Sequence, residues 1–584
     1  MCGVRPKVEG ILQPLQGLSA AGHDYVERMM TFVYREQFAQ QLTKDTDEDL
    51  RRGDMVYLYE KDEDTDTSHH ILYKGVIERI DDEALTIWPS NNVKETPETF
   101  SKETYAIEPA TTDATATAAL RSLMAFCTAP ADKRDLLLGL RAPRQDQSLQ
   151  LSRSYHPAYD AILLRAKQAR DYFLLQGPPG TGKTSMALRF LVEEECAPHS
   201  DLQVGELNSS LFTLHSSLER SSLLLTAYTH RAVDEICSML EESGQDYLLL
   251  GSEAMCDPRF AHRLLSRSFG DQPKLSEMRQ RLKDVRIVVS TTLTLLTRPY
   301  LFSIKHFSLC IVDEASQILE PYLVGLLSSK QIDRFILIGD HKQLPAVVAQ
   351  TDDELDLHSC RLSLFERLLR QERDAGRSAF TGILNHQGRM HPDISAFPNE
   401  FFYAHEQLQP VPLPHQEEME LDYRQPSEDA LDDQLKQHRV LFLPSDQDSV
   451  LVADLLRRLH RQIGSKHFDA NHSIGVIVTY RHQISQIRRE ILKLGLPQLT
   501  DISIDTVERY QGSQRDVIIY AFCVQDKAGL DFLTSNCFVE DGHTIDRKLN
   551  VAMTRARKQL LMIGSQQVLS QNAIYAELIQ RYSL

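Results

Sequence analysis

Cysteine patterns of the kind that hold zinc or iron–sulfur clusters are absent from the sequence. The nine cysteines are scattered, and no two of them form a C-x-x-C pair. This scatter argues against a zinc ribbon or an iron–sulfur cluster. Long apolar runs are lacking too, since no stretch approaches the roughly eighteen residues of a membrane helix. We therefore expect a protein of the reducing cytoplasm with no membrane partner.

Positive charge is also scarce. The chain has 64 lysines and arginines against 82 aspartates and glutamates, which gives a formal net charge of -18 at pH 7. Such a balance repels a polyanion unless the basic side chains are gathered along one groove. Composition alone therefore argues mildly against nucleic acid as a partner, and any basic track has to be local.

The 584 residues are too many for one hydrophobic core and predict several domains. In the N-terminal part, 1–140, helix-like spacing of apolar residues predicts a long helix from Gly22 to Leu50. An alternating pattern over about 52–110 then predicts a small antiparallel unit, which we expect to be a β-barrel. A second helix is predicted through about Leu140, so a helix would flank the barrel on each side in the sequence.

The remainder of the chain changes to short apolar runs that alternate with amphipathic segments. Runs such as FLLQ, LLLTA, LCIV and FILI are typical of strands buried on both faces of a parallel sheet. A second series begins after Ala379, so we predict two tandem α/β domains with parallel sheets, at 141–375 and 376–584. The acidic stretch from Gln416 to His438 is interpreted as a surface insertion or mobile loop.

A glycine-rich loop carries the strongest chemical signal. It lies between an apolar strand pattern, YFLLQ, and a helix pattern, SMALRFLVEE, which is the context that a phosphate-binding loop requires. Its backbone N–H groups and the helix N-terminus would face the phosphates of ATP. Lys183 would contact the β- and γ-phosphates and Thr184 would hold Mg²⁺. The loop consists of Gly177, Pro178, Pro179, Gly180, Thr181, Gly182, Lys183 and Thr184.

Two carboxylates, Asp313 and Glu314, follow the apolar strand LCIV. A parallel strand that ends in carboxylates delivers them to the edge of the sheet where phosphates bind. Asp313 would bind Mg²⁺, and Glu314 would orient or deprotonate the attacking water. The simpler alternative is a helix N-cap, because an acidic pair before Ala-Ser commonly begins a helix.

Four further polar residues indicate a function only when they are considered as a set. Gln343 follows the strand FILI and offers an amide that could sense a γ-phosphate. Arg389, Gln511 and Arg555 lie in the second α/β series, within QGRMHP, VERYQG and LNVAMTRAR. Each arginine taken alone is most simply a solvated surface charge.

The ordered set of these segments resembles the superfamily 1 helicases of the up-frameshift type. That group includes the nonsense-mediated-decay RNA helicase and the helicase half of the DNA-replication helicase–nuclease. The resemblance covers roughly 150–565 and rests on GPPGTGKT, TAYTHRAVDEI, VDEASQ, GDHKQLPAVV, QGRMHPDISAFPNEFF, IGVIVTYRHQ, VERYQGSQRDVII and LNVAMTRARKQL. It implies two RecA-like P-loop domains, ATP and Mg²⁺ as cofactors, and a motor that travels 5′ to 3′ on single-stranded DNA or RNA.

The resemblance also implies roles for individual residues. Arg389 and Arg555 match the two arginines that reach across the cleft to the γ-phosphate. Tyr480 matches the aromatic residue that stacks on adenine. Thr229, Thr291, Thr292 and Gln511 are implied contacts to nucleic acid, as hydroxyl and amide groups suit backbone binding.

The chain departs from the group's usual pattern at three positions. Tyr155 stands in the stretch where an upstream glutamine is usual, Gly388 replaces the tyrosine before the first arginine, and Gln514 replaces an acid. These departures concern recognition of the nucleoside and the fit of one loop. None of them removes a residue that hydrolysis needs.

Three functions are compatible with these residues. The first is an ATP-dependent helicase or translocase, which we expect to act as a monomer. The second is a nucleotide-gated clamp or remodelling ATPase that binds nucleic acid or a protein and unwinds little. The third, a plain P-loop ATPase that acts on another substrate, has no need of QGRMHP and TRAR in a tandem domain.

Overall fold

A computed structural model describes the chain over 17–44, 55–60, 71–80, 84–89, 105–109, 114–197, 221–267, 269, 274–350 and 360–583. The predicted end of the first helix at Leu50 lies outside these residues, as do large parts of the stretch predicted to form the barrel. None of the described helices combines the length and the apolar character needed to cross a bilayer.

The N-terminal unit is an open antiparallel sheet between helices. Its strands pair in the order β3-β2-β1-β4, and every pair is antiparallel. The predicted barrel is not confirmed, because among the described residues the outer strands β3 and β4 do not pair with each other and the sheet keeps two edges. The elements are α1 (Ala20–Lys44), β1 (Met55–Glu60), β2 (Ile71–Ile80), β3 (Leu85–Pro89), β4 (Tyr105–Pro109), α2 (Ala114–Cys127) and α3 (Ala131–Leu137).

Helices α1 and α2 pack against the first α/β domain. The Tyr25 hydroxyl on α1 donates to Glu320 Oε1 at 2.6 Å, in a position buried from solvent. Helix α2 approaches so closely that a Cβ at Gly325 would lie 2.0 Å from the Ser122 carbonyl oxygen. Glycine at 325 therefore permits this contact.

The first α/β domain is built on a seven-stranded parallel sheet of order β11-β5-β10-β9-β6-β8-β7. The sheet is buried on both faces, as the apolar runs predict. Its elements are α4 (Pro157–Gln168), β5 (Tyr172–Gln176), a π-helical turn (Lys183–Leu188), α5 (Arg189–Cys196), β6 (Leu223–Ala227), α6 (His230–Glu242), β7 (Tyr247–Leu250), α7 (Leu275–Asp284), β8 (Ile287–Thr291), α8 (Thr292–Thr297), α9 (Leu301–Ile304), β9 (Phe307–Val312), α10 (Glu320–Leu327), β10 (Ile332–Gly339), α11 (Leu364–Asp374) and β11 (Thr381–Ile383).

The last strand of this sheet lies beyond the boundary expected at 375. Strand β11 pairs in parallel with β5, so the first sheet extends to Ile383. A Cβ at Gly382 would lie 2.9 Å from Ile162 and 3.0 Å from Phe173, which shows how tightly this short edge strand is packed. Three residues are too few for a recognisable strand pattern in the sequence.

The second α/β domain has a five-stranded parallel sheet of order β14-β20-β17-β15-β16. The two predicted parallel sheets are thus confirmed. The elements are β12 (His386–Gln387), α12 (Pro392–Phe401), β13 (Gln409–Pro410), α13 (Pro414–Glu417), α14 (Ala430–Gln437), β14 (Val440–Pro444), α15 (Asp448–Ile463), β15 (Ile474–Val478), α16 (Arg481–Lys493), β16 (Ser503–Thr506), α17 (Val507–Tyr510), β17 (Arg515–Ala521), α18 (Lys527–Leu533), β18 (Cys537–Glu540), β19 (His543–Asp546), α19 (Arg547–Met553), β20 (Ala556–Gly564), α20 (Gln566–Leu569) and α21 (Ala573–Tyr582).

The acidic stretch from Gln416 to His438 is folded onto this domain rather than forming a mobile loop. Asp432 is buried and pairs with Arg458 at 2.9 Å and with Arg461. The Tyr423 hydroxyl donates to Gln559 Oε1 at 2.7 Å. The acidic residues predicted a solvated stretch, but some of them form ion pairs with arginines of α15.

Candidate nucleotide site

The phosphate-binding loop joins β5 to the π-helical turn at the carboxyl edge of the first sheet. Gly180 and Gly182 adopt left-handed φ values of 76° and 71°, which glycine reaches at no steric cost. A Cβ at Gly177 would lie 2.2 Å from Lys183 Cγ, so that position also requires glycine. The Lys183 ammonium donates to the Gly177 carbonyl at 2.9 Å and thereby lies across its own loop.

Thr184 and Asp313 meet beside this loop. The Thr184 hydroxyl donates to Asp313 Oδ2 at 2.6 Å. Thr184 follows β5 and Asp313 follows β9, so two different strands deliver this pair. Burial, together with the nearby Glu314 charge, raises the pKa of the Asp313 carboxyl above its usual value. A hydroxyl oxygen and a carboxylate oxygen in contact are the kind of ligands that Mg²⁺ takes at a nucleotide site, so these residues fit the predicted ion.

Glu314 lies next to the loop in an uncommon backbone conformation. Its φ is 51°, in the left-handed region that non-glycine residues rarely adopt. The carboxylate lies 4.0 Å from Lys183 Nζ and accepts a hydrogen bond from Gln317 Nε2 at 2.9 Å. Strain of this kind is concentrated at functional sites, and here it aims a partly exposed carboxylate into the cleft.

Gln343 is held at the same edge by a buried network. Its side-chain nitrogen donates to Asp340 Oδ2 at 2.8 Å, and the Tyr403 hydroxyl of the second domain donates to the same oxygen at 2.6 Å. All three side chains are buried. The amide oxygen of Gln343 is thereby oriented toward the second domain.

Arg555 and Arg389 approach from the second domain. Arg555 Nη2 donates to Gln343 Oε1 at 3.2 Å, and its side chain is only 1% exposed. Arg389 Nε donates to Gln514 Oε1 at 2.9 Å. Burial lowers the pKa of Arg389 to about 10 and lowers that of Arg555 as well, with mutual repulsion adding to the effect on Arg555. Arg555 is buried and Arg389 is half-buried, and two guanidinium groups that face one cleft favour an anion between them.

These groups share one cleft of about 1170 Å³ between the two sheets. The phosphate-binding loop, Glu314 and Gln343 line one wall, and Arg389 and Arg555 line the other. Arg557 is not among the lining residues, and its Nη1 pairs with Asp516 at 2.9 Å instead. The structure thus brings together the predicted hydrolysis residues from both domains.

Tyr480 is not brought to this cleft. It begins α16 at the carboxyl edge of the second sheet, and its ring stacks on Phe532 with centroids 5.0 Å apart. The expected contact between Tyr480 and adenine therefore gains no support from this geometry and stays a prediction. At Gly388, which replaces the usual tyrosine, Leu413 fills the space that a side chain would need. A Cβ at Gly388 would lie 3.0 Å from Leu413 Cδ1.

The predicted nucleic-acid residues lie at strand ends of both domains. Thr229 is exposed and caps α6, while the Thr291 hydroxyl accepts a hydrogen bond from Thr294 N at the start of α8. Thr292 is 1% exposed and its hydroxyl donates to the Ala227 carbonyl at 3.3 Å. Gln511 Nε2 is buried without a hydrogen-bond partner among the described residues.

Sequence reasoning missed a charged pair on α6, one member of which lines the cleft. Glu235 on α6 lines it, and burial raises the pKa of this carboxyl to about 7, with repulsion from Asp313 and Glu314 adding to the rise. Arg231 lies 3.7 Å from Glu235 and donates to Ser513 Oγ of the second domain at 2.9 Å. Helical i, i+4 spacing of the two residues in THRAVDEI is the only sequence signal that could have paired them.

Tyr155 takes no part in the cleft either. Its hydroxyl donates to Glu194 at 2.8 Å, and its ring packs against Phe190 with centroids 5.5 Å apart. The first departure from the usual pattern thus produces a packing residue. Neighbouring His156, Pro157 and Ala158 line the cleft in its place.

Comparison with known proteins agrees with this geometry. AAA domain models match the chain at 157–267, 261–351 and 360–567, which covers both parallel sheets. These matches, together with the relatives described below, indicate an ATP-hydrolysing enzyme of the helicase class. More particularly, the chain resembles the superfamily 1 helicases, including the helicase half of the DNA-replication helicase–nuclease, as its sequence motifs predict.

The matching relatives are longer proteins. The DNA replication ATP-dependent helicase/nuclease dna2 of Schizosaccharomyces pombe is 27% identical over 77% of this chain and 31% of its own length. The Xenopus laevis protein DNA2, of the same description, is 29% identical over 74% of this chain and 38% of its own length. The chain thus spans about a third of these relatives. A solved arterivirus nonstructural protein 10 (helicase) with DNA matches 68% of this chain and 60% of its own at 16% identity and a TM-score of 0.34, which is too low to support an argument.

Proposed function

We propose that this protein is an ATP-driven translocase or helicase that moves 5′ to 3′ on single-stranded nucleic acid. The observation that carries the proposal is the hydrogen bond from Arg555 to Gln343 across the cleft. It links a residue of the second domain to the edge of the first sheet where the phosphates of ATP would lie. Hydrolysis would then open and close the cleft and change the grip of the two domains on a strand.

In this proposal the phosphate-binding loop holds ATP. Its backbone N–H groups surround the phosphates, and Lys183 leaves the Gly177 carbonyl to contact the β- and γ-phosphates. Thr184 and Asp313 would hold Mg²⁺, which neutralises charge on the phosphates when it is bound. The 2.6 Å contact between these two side chains supports the assignment.

Glu314 is the proposed group that orients or deprotonates the attacking water. Its carboxylate lies in the cleft, 4.0 Å from Lys183 Nζ, and this cation would turn toward the phosphates when ATP binds. Gln343 would sense the γ-phosphate, while Arg389 and Arg555 would stabilise its developing charge. The low exposure of Arg555 strengthens such an interaction, since little water screens it.

The single strand would run along the carboxyl edges of both sheets. Thr229, Thr291 and Thr292 would supply hydroxyl or helix N-terminal N–H groups to phosphates from the first domain. Gln511 would contribute from the second domain, and its buried amide without a partner supports that role. These contacts do not read sequence, which suits a motor.

A steady-state ATPase assay with and without single-stranded DNA and RNA tests the proposal. We expect one polymer or both to raise the rate several-fold, and Lys183→Ala to abolish the rate in every condition. A wild-type rate that neither polymer changes would argue against a nucleic-acid motor. A stimulated rate without displacement of a strand from a duplex would instead favour a nucleotide-gated clamp.

A further inference from the structure

A second cavity, of about 460 Å³, lies at the carboxyl edge of the second sheet. Residues after three strands line it: Asp446 and Asp448 after β14, His482 after β15, and Gln525 after β17. None of them takes part in the nucleotide site. The function proposed above therefore assigns no ligand to this cavity.

The topology makes this edge a favoured place for a ligand. Strands β15 and β17 are neighbours in the sheet, and their ends are level because Val478 pairs with Ala521. The chain leaves β15 toward β16 on one side, whereas it leaves β17 toward β20 on the other. Ligands of open α/β sheets bind in the crevice at such a switch point.

A column of stacked rings reaches the cavity through its last member, His482. Phe532, Tyr480 and His482 lie in a column, with centroids 5.0 and 5.6 Å apart and ring planes within 19° and 24° of each other. Lys548 Nζ lies 4.0 Å from the Phe532 centroid, at that end of the column. His482 lines the cavity and Tyr480 does not, so the free face of the column is that of the exposed His482 ring.

Hydrogen bonds hold the backbone that carries Tyr480, the central ring of the column. The Tyr480 backbone N–H donates to Gln483 Oε1 at 3.0 Å. Gln483 Nε2 in turn donates to the Cys523 carbonyl at 3.0 Å, which ties the loop after β15 to the loop after β17. A preorganised flat surface of this kind lowers the entropy lost when a planar group stacks on it.

The remaining lining residues select a neutral, hydrogen-bonding ligand. Within the described chain no lysine or arginine lines this cavity, and Asp446 and Asp448 repel a phosphate. The amides of Gln486 and Gln525 are exposed and make no hydrogen bond to another described residue. Amide groups both donate and accept, as the edges of nucleobases do.

We infer that this cavity holds one nucleobase, stacked on His482 with its edge toward Gln486 and Gln525. The inference rests on the proposed function for the source of the base, which would be the bound single strand with its phosphates outside the acidic wall. Stacking of a base on an aromatic ring is tolerant of sequence and suits a motor that passes over every base. A free nucleoside would offer the same base chemistry.

Binding of labelled single strands of 15 thymidines or 15 uridines, measured by fluorescence anisotropy, tests the inference. His482→Ala should weaken binding at least about fivefold, and His482→Phe should restore it. His472→Ala is the matched control, because His472 is an exposed histidine just before β15, at the opposite edge of the sheet. A strand in which every base is removed should bind wild type and His482→Ala equally.

The remaining outcomes distinguish failure of the stacking site from failure of the proposed function. Unchanged binding by His482→Ala, or an equal loss for the strand without bases, would overturn the stacking site while leaving the motor in place. Wild-type protein that binds no strand would overturn the proposed function and the strand as the source of the base. Displacement of the strand by millimolar thymidine or adenosine only in proteins that retain an aromatic residue at 482 would identify a free nucleoside as a competing occupant.

Discussion

At the scale of single residues, the lysine of the phosphate-binding loop already contacts protein groups in the absence of ATP. Lys183 Nζ is 2.9 Å from the Gly177 carbonyl and 4.0 Å from Glu314, so it has partners before ATP binds. We predict that Lys183→Ala abolishes turnover, because no other side chain of the loop brings positive charge to the β- and γ-phosphates. Steady-state phosphate release measures this, and residual activity above a few per cent would contradict it.

Glu314→Gln separates binding from chemistry. The substitution keeps the size of the side chain and its hydrogen bond with Gln317, but removes the charge that activates water. We expect nucleotide affinity close to wild type and a turnover rate lower by about a hundredfold or more. Fluorescent-nucleotide titration and single-turnover hydrolysis check the two parts. Hydrolysis at the parental rate would show that another group orients the water.

At the scale of elements, the β18–β19 hairpin ties the two domains together beside the cleft. Glu540 at the end of β18 contacts three side chains of the first domain: the His341 ring at 2.8 Å, the Lys342 ammonium at 2.9 Å and the Arg373 guanidinium at 2.8 Å. Burial alone would raise the pKa of Glu540, but these partners hold it well below its usual range. The hairpin therefore fixes the segment that carries Gln343.

We predict that Glu540→Gln lowers the free energy of unfolding by about 2 kcal/mol near neutral pH, because Arg373 and Lys342 lose a shared carboxylate while Lys342 keeps Glu406. The folded-state pKa of Glu540 is depressed, so its contribution is present above the unfolded-state value of about 4.3 and is lost as the pH falls toward the folded-state value. Thermal melts at pH 7 and pH 3.5 should thus show a smaller difference between variant and wild type at the lower pH.

Asp541→Asn is the control for this experiment. Asp541 is an exposed acid in the turn of the same hairpin, with a φ of 50° that asparagine tolerates. It should melt like wild type at both pH values. A gap between Glu540→Gln and wild type that widened in acid would contradict the assigned ion pairs.

The elements also show what a sequence can predict. Strands such as β5, β9 and β10 are apolar runs bounded by chemistry-bearing loops, so their place in parallel sheets followed from pattern alone. The short strand β11 and the open N-terminal sheet did not, because three residues carry no period and closure of a barrel depends on pairing between distant strands. The ion pairs of Asp432 with Arg458 and Arg461 could not be predicted either, because these partners are also far from Asp432 in the sequence.

The site divides in the same way. Thr184 contacts Asp313, and Lys183 lies 4.0 Å from Glu314, because the phosphate loop and the acidic pair both follow strands that end at the same edge of the first sheet. Their roles in hydrolysis stay predictions. For Tyr480, the resemblance fixes the strand end on which the residue lies but not which ligand reaches that end. Glu235 was missed because a carboxylate in a helix is ordinarily solvated, and only the tertiary fold brings it into the cleft.

At the scale of the whole molecule, a net charge of -18 has to coexist with a polyanionic partner. We predict that affinity for single strands falls at least about tenfold between 50 and 200 mM salt, because bound phosphates release counterions. Arg231 is exposed and bridges to Ser513 of the second domain, so Arg231→Ala should reduce the slope of log affinity against log salt by about one. Affinity that does not change with salt would contradict a groove that grips phosphates.

Coupling between hydrolysis and movement depends on the two arginines that the second domain places in the cleft. Arg389 and Arg555 belong to a different sheet from the phosphate loop, so they reach ATP only when the domains are closed as they are here. We predict that Arg389→Ala and Arg555→Ala each lower the turnover rate by roughly a thousandfold, while nucleotide affinity changes much less, because their charge matters most as the γ-phosphate departs.

Arg557→Ala is the matched control for these two variants. Its guanidinium pairs with Asp516 and does not line the cleft, so it should turn over ATP at close to the wild-type rate. Because Arg555 is fully buried, Arg555→Lys and a thermal melt distinguish a lost charge interaction from a lost fold. Full activity in both Arg389→Ala and Arg555→Ala would refute the cross-domain mechanism. Inactivity of Arg557→Ala alone would move the functional arginine of the TRAR segment by two residues.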